Sequence, residues 1–159
     1  PNPYSLAGYF GTAVDQYLLG SNHLYKGEGI PFDPEGLTST LPAITQVILG
    51  YLVGHYIIQK GKTYEMLSHL LIIGLVCIGT GHIWHESFPM NKKIWTSSYV
   101  LYTTGLAICT LGLLMFWIEM KHQKNKLFAF FDVFGKNPLF IFVLSGFLPR
   151  VLALFRWVD

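Results

Sequence analysis

The residues whose types could do chemistry fall into two polar stretches. Asn22 and His23 precede Asp33 and Glu35 in the first, and Asn91 and Lys92 lie in the second. An imidazole can act as acid or base near neutral pH, and a carboxylate can orient a cationic group, more effectively in a half-dry cleft than in water. Each stretch borders a long apolar run. A polar loop set against a membrane-crossing helix can present acid, base and hydrogen-bonding groups to a water-soluble substrate. Asp33-Pro34-Glu35 also reads as a helix start. Asp33 would be the cap, Pro34 would take the first helical position, and Glu35 would sit where the helix dipole favours an anion.

Other reactive side chains fit plainer readings. His82-x-x-His85 followed by Glu86 puts two imidazoles on one helix face, which is half of a metal site. A complete site needs more ligands at defined positions and none is apparent nearby, so a polar helix end without metal is expected. His55, near the end of the first apolar run, reads as a side chain reaching for the interface. Cys77 and Cys109 both lie inside apolar runs and read as small packing residues.

These groups must be carried by membrane helices. Of the 159 residues 52% are hydrophobic and only 13% charged, against about a quarter charged in soluble domains. The expected fold class is all-α, a polytopic integral membrane bundle. Apolar runs predict four spans near 39–58, 65–84, 96–117 and 139–157, since ~20 apolar residues cross a bilayer and a helix satisfies its own backbone there. Gln46, Gly50 and Gly54 make a small-and-polar stripe suited to close helix contact. Gly74, Cys77 and Gly81 line a face of the second span, while Thr103, Thr104, Gly105, Cys109 and Gly112 give the third a small-residue side. Trp95 and Trp117 bracket that third span as interfacial aromatics.

Residues 1–37 are rich in glycine and proline and predict a loop region, with a short amphipathic turn over 13–19 at the membrane surface. Residues 38–159 then form the bundle. Within it, 127–134 are apolar but too short to cross, which suggests a surface or re-entrant segment. Gly135-Lys136-Asn137-Pro138 breaks that segment, and Pro149-Arg150 interrupts the last span. Connections 59–62 and 121–136 hold Lys60, Lys62, Lys121, Lys124, Lys126 and Lys136, whereas the opposite loops hold Lys26, Lys92 and Lys93. This bias puts the basic connections in the cytoplasm and Asn22, His23, Asp33, Glu35, Asn91 and Lys92 on the outer face. A net charge of +2 is too small to imply a nucleic acid partner.

Four strings carry a resemblance. Leu18-Leu19-Gly20-Ser21-Asn22-His23-Leu24-Tyr25, Asp33-Pro34-Glu35-Gly36, Pro89-Met90-Asn91-Lys92-Lys93-Ile94-Trp95-Thr96-Ser97-Ser98-Tyr99 and Gly135-Lys136-Asn137-Pro138-Leu139 occur in that order. They resemble the heparan-α-glucosaminide N-acetyltransferase family and its bacterial relatives. The resemblance covers what would be the C-terminal part of such a protein. As the chain opens at Pro1 without an initiating Met, a piece of a longer protein is expected. The resemblance implies an enzyme of a bacterial inner membrane with acetyl-CoA as cytosolic co-substrate. It would move acetyl to the amino group of a terminal glucosamine beyond the membrane.

The family's catalytic histidine belongs to a region N-terminal to this chain and is carried over to no residue, so the catalytic residues stay unassigned. Matched residue by residue are the substrate-binding candidates Asn22, His23, Asp33, Glu35, Asn91 and Lys92. On the cytoplasmic side Lys136 and Asn137 could meet the CoA phosphates, although 135–138 also reads as a plain helix start. The implied partners are the lipid bilayer, an amino-sugar acceptor, the rest of the same chain's membrane domain, and a second copy in a homodimer.

Two other classes of function fit the same spans. Small-residue helix faces with glycine and proline breaks also suit a sugar or amino-sugar transporter or an uptake accessory. Against it, no carboxylate lies near the middle of any span, which leaves ion coupling without a proton or sodium site. The third reading is a structural or assembly module.

Overall fold

A computed structural model describes residues 2–122 and 126–154, and all regular structure among them is helical. The chain forms two compact units, Pro1–Phe116 and Trp117–Asp159. The first contains α1 (Phe10–Leu19), α2 (Leu37–Lys60), α3 (Tyr64–His85) and α4 (Ser97–Met115), and α4 runs on into one π turn at Phe116–Met120. Among the described residues three helices are long and apolar enough to cross a membrane: Leu37–Lys60, Tyr64–His85 and Ser97–Met120. At 1.5 Å per residue each reaches about 33–36 Å, against a hydrocarbon core of ~30 Å. Helices long and apolar enough to cross occupy the first three expected stretches, with ends within a turn of those read from the sequence.

Local chemistry sets the reversals. Gly61, at a φ of 69°, ends α2 and donates its N–H to the Ile57 carbonyl at 3.0 Å. Two residues on, Thr63 Oγ1 accepts from the Met66 N–H at 3.1 Å, and Glu65 lies in the first turn of α3. Thr63→Ala should therefore cost about 1 kcal/mol, read as a lower melting temperature of the purified protein in detergent.

The α3 and α4 helices pack antiparallel through the small faces read from the sequence. A Cβ on Gly74 would lie 2.5 Å from Cys109 Sγ, one on Gly105 would lie 2.6 Å from the Gly74 carbonyl oxygen, and one on Gly81 would lie 2.7 Å from the Tyr102 nitrogen. Only glycine permits such backbone approach. Below these contacts Met66, Leu70 and Ile108 make an apolar core with Val53, Tyr56, Ile57 and Met115 against it.

The α2 stripe behaves differently. Gly50 and Gly54 have no heavy atom within 4 Å of where a Cβ would stand. With Gln46 they line a gap of about 210 Å³ facing Thr104, Ala107, Ile108 and Leu111 of α4. The expected close contact is absent, because Gln46 spans the distance instead, its Nε2 donating to Thr103 Oγ1 at 3.4 Å. A glycine stripe permits close approach without enforcing it.

The first 37 residues hold more helix than expected. α1 is ten residues long and turns Gly11, Thr12 and Asp15 inward, while Phe10, Tyr17 and Leu18 are exposed. A helix with its small polar face inside and its apolar face outside suits the membrane interface.

The second unit consists of α5 (Lys126–Lys136) and α6 (Pro138–Leu154). The short apolar segment is helical, with Phe130 against Phe134 at 4.5 Å between ring centroids. The stretches Phe128–Lys136 and Pro138–Ala153 pass the test for a membrane span only as a pair bent by 95°. The 17 residues of α6 extend about 25 Å, too short alone for the core. Among the described residues the fourth expected span thus reaches crossing length only together with α5, as a broken span or a re-entrant loop. Asn137 stands at the bend, its carbonyl accepting from the Ile141 N–H at 3.1 Å with Pro138 following at the first helical position. α6 continues through Pro149, so the expected interruption at Pro149-Arg150 is absent. A proline removes one backbone hydrogen bond, and membrane helices tolerate that loss. Residues 155–157 of the expected span, and Lys124 of the basic connection, lie outside the described residues.

Candidate functional site

Antiparallel packing of α2, α3 and α4 brings the start of α2, the end of α3 and the start of α4 to one end of the first unit. Segments 2–9, 20–36 and 86–96 meet there. The Tyr4 hydroxyl donates to the Ser87 carbonyl at 3.2 Å, and Asn91 Nδ2 donates to the Tyr4 carbonyl at 3.4 Å. Tyr4 packs edge-on against Phe88, and Lys93 pairs with Glu28. Both polar stretches singled out in the sequence share this polar end.

Within it the candidates play distinct parts. Asn91 shapes its own loop, since Oδ1 accepts from the Lys93 N–H at 2.9 Å and its backbone N–H donates to Thr96 Oγ1 at 2.9 Å. Lys92 next to it is exposed. His23 Nδ1 lies 2.8 Å from the Leu19 carbonyl oxygen. A carbonyl only accepts, so Nδ1 carries the hydrogen and Nε2 of the neutral ring is left as the base. Asn22 beside it is exposed.

The Asp33-Pro34-Glu35 string does not start the helix. Asp33 Oδ1 accepts from the Glu35 N–H at 2.9 Å and its carbonyl accepts from Gly36 at 3.0 Å. These bonds close a turn, and the residue before α2 is Gly36, without a side-chain cap. The same short carboxylate can satisfy a turn or a helix end. Here it takes the turn, which leaves Glu35 exposed at its tip.

The residue that does cover the start of α2 is Asp15, which the sequence reading passed over. It is 3% exposed, and its Oδ2 accepts from Thr38 Oγ1 at 3.3 Å. A Cβ on Gly36 would fall 2.0 Å from the same oxygen. A carboxylate thus sits over the positive end of α2, while its buried Oδ1 has no partner. Gln16 ties α1 down further, with Nε2 donating to the Pro31 carbonyl at 2.7 Å. The available signal was the spacing of Gly11 and Asp15, four residues apart on one helix face.

Trp95, expected as an interfacial aromatic, carries two features that expectation did not include. It holds a φ of 52°, and its buried Nε1 has no hydrogen-bond partner. Beside it a cavity of about 550 Å³ lies between α2, α3 and α4 and the start of α1.

The remaining candidates lie elsewhere or act locally. His85 Nδ1 accepts from the Met90 N–H at 2.8 Å and so shapes the loop after α3. Among the described residues no cluster of three or more His, Cys, Asp or Glu could hold a metal ion. At the opposite end of the unit His55 stacks on Tyr51 and meets Gln59 Nε2 at 2.8 Å. In the second unit Lys136 pairs with Asp132, and Asn137 Nδ2 donates to the Val133 carbonyl at 2.9 Å.

These features define a polytopic helical membrane protein with a polar platform over the helix ends of its first unit. Its sequence is similar to heparan-alpha-glucosaminide N-acetyltransferase of Mus musculus, with 28% identity over 95% of this chain and 24% of the mouse protein. The Homo sapiens protein of the same name is 28% identical over 86% of this chain and 22% of its own length. The resemblance read from the four strings therefore extends along most of the chain, and the chain spans about a quarter of these curated relatives. No protein-family model and no solved structure matches it.

Proposed function

We propose that the chain is part of a membrane-bound acyltransferase that carries acetyl from cytosolic acetyl-CoA to the amino group of an amino sugar on the far side of a bacterial inner membrane. The observation that carries this reading is the similarity of nearly the whole chain to two N-acetyltransferases. Over the whole reaction a C–N bond to the sugar amine replaces the C–S bond of the thioester, the acetyl group crosses the membrane between them, and CoA leaves as the thiol after taking up a proton. The sugar ammonium must first lose a proton. His23 Nε2 and the Asp33–Glu35 turn stand at the polar end to orient that ammonium group, and Asn22, Asn91 and Lys92 to meet sugar hydroxyls. Lys136 and Asn137 are assigned to the CoA phosphates on the other side.

The test is transfer of labelled acetyl from acetyl-CoA to glucosamine by the full-length protein in proteoliposomes. Labelled N-acetylglucosamine is expected, and folded full-length protein that forms none would overturn the reading. Among His23→Ala, Asp33→Asn and Glu35→Gln, at least one should lower turnover more than tenfold while the protein stays folded. Asp33→Asn retains the acceptor for the Glu35 N–H, so a loss there reports the charge rather than the turn. The orientation has its own test. Single cysteines at Lys60 and Lys92 in a Cys-free background should react with an impermeant maleimide from opposite sides, Lys92 from outside.

A further inference from the structure

Asp15 is a buried carboxylate that the transfer reading leaves without a task. It sits where the Asp33-Pro34-Glu35 string could act instead. That string has the residues of a helix start, and Asp33 Oδ1 already makes the first bond of a cap by accepting from the Glu35 N–H. The helix is interrupted at Gly36. Its φ of −64° suits a helix and its ψ of 172° does not. Turning that ψ to a helical value would let α2 run back to Pro34. The N–H groups of Leu37, Thr38 and Ser39 would then meet the carbonyls four residues before them, on Asp33, Pro34 and Glu35.

Two side chains hold Gly36 extended. From within α2, Ser39 Oγ donates to the Pro34 carbonyl at 2.8 Å and lies 3.0 Å from the Gly36 carbonyl oxygen. From α1, the Asp15 carboxylate presses on Gly36 so closely that a Cβ there would fall 2.0 Å from Oδ2. The same oxygen accepts from Thr38 Oγ1, and the neighbouring Gln16 fastens α1 to the Pro31 carbonyl. The positive end of α2 favours an anion. Asp15 supplies one from outside the string.

We propose that Asp15 is a positioning residue for the acceptor. By covering the start of α2 it keeps the string out of the helix and leaves Glu35 exposed at the tip of the turn. Without it, Asp33 becomes the cap, Glu35 joins the first turn of α2, and both are drawn away from an ammonium group. The ammonium half of this proposal rests on the acetyl-transfer reading, and the structural half does not.

The experiment follows glucosamine and acetyl-CoA kinetics and amide hydrogen exchange in the full-length protein in nanodiscs. Asp15→Ala should raise the KM for glucosamine about tenfold or more, since small misplacements of binding groups are costly, and leave the KM for acetyl-CoA unchanged. Exchange at Leu37, Thr38 and Ser39 should slow, because these amides gain helical partners. A merely loosened fold would speed it. Asp15→Asn keeps an acceptor of the same shape and should hold the glucosamine KM within about threefold of wild type. Thr38→Val deletes only the hydroxyl that bonds the carboxylate. It should move both readouts in the same directions, and it decides the matter if Asp15→Ala does not fold. Thr63→Ala, a destabilising change at the opposite end of the unit, should move neither. Faster exchange at those amides would overturn the proposal. So would an unchanged glucosamine KM in folded Asp15→Ala, or an equal rise in Asp15→Asn. If the wild-type protein transfers no acetyl to glucosamine, the transfer reading falls, and the exchange alone decides whether Asp15 holds the turn.

Discussion

Gly105→Ala is expected to destabilise the first unit by about 3 kcal/mol, the upper end of the usual cost of overpacking, while Gly79→Ala is expected to stabilise it. The added methyl on Gly105 would stand 2.6 Å from the Gly74 carbonyl oxygen and 2.7 Å from the Ile78 nitrogen. Both are backbone atoms of a facing helix, so neither can turn aside as a side-chain end would. Relief requires α3 and α4 to separate, which opens the row of contacts from Gly74 to Gly81. At Gly79 nothing lies within 4 Å of the new methyl. That substitution leaves only the helix preference for alanine, worth about 1 kcal/mol. Denaturation of the two variants in detergent, with helix content as the readout, should shift in opposite directions. Equal shifts would mean that the two helices do not approach as closely as the glycine geometry requires.

The contrast between those glycines also marks how far a single sequence reaches. Span existence was legible because 20 consecutive apolar residues have few alternatives to a membrane helix. The small faces of α3 and α4 were legible because both partners present one. The stripe on α2 was a one-sided inference. Gly50 and Gly54 permit close approach, but Thr104 and Leu111 opposite them do not demand it, and Gln46 bridges a gap. The π turn at Phe116–Met120 and the bend at Asn137 depend on where the chain runs next, which periodicity does not encode.

Site residues divide along the same line. Asn22, His23, Asn91 and Lys92 were picked as candidates by string and polarity, and the structure gathers their two stretches at one end. The assignment of Asp33 to a helix end came out otherwise, since turn and cap use the same carboxylate-to-amide bond and local sequence does not separate them. Asp15 and the unpaired indole nitrogen of Trp95 escaped for a different reason. The importance of each lies in burial and in a missing partner, and Thr38 stands 23 residues from Asp15. No motif links such a pair before the chain folds.

That pair supplies the second large effect. Asp15→Ala removes a carboxylate from the start of α2 and strands the Thr38 hydroxyl, and the expected loss is about 2–3 kcal/mol, typical of a hydrogen bond to a charged group. Asp15→Asn keeps an acceptor for Thr38 but removes the charge at the helix N-terminus, at about 1 kcal/mol. Gly36→Ala should also destabilise, because its methyl would fall 2.0 Å from Asp15 Oδ2 and 3.0 Å from the Asp33 carbonyl oxygen. The two lesions act on one contact, so they should not add. With Asp15 already cut to alanine, the space above Gly36 is vacant, and the second change should cost far less than it does alone. Unfolding of the two single variants and the double variant measures this directly, and limited proteolysis between Gly20 and Gly36 reports whether the loop has come loose. Fully additive losses would show that Asp15 and Gly36 do not share a contact, and that α1 is held over the start of α2 by Gln16 and Pro31 instead.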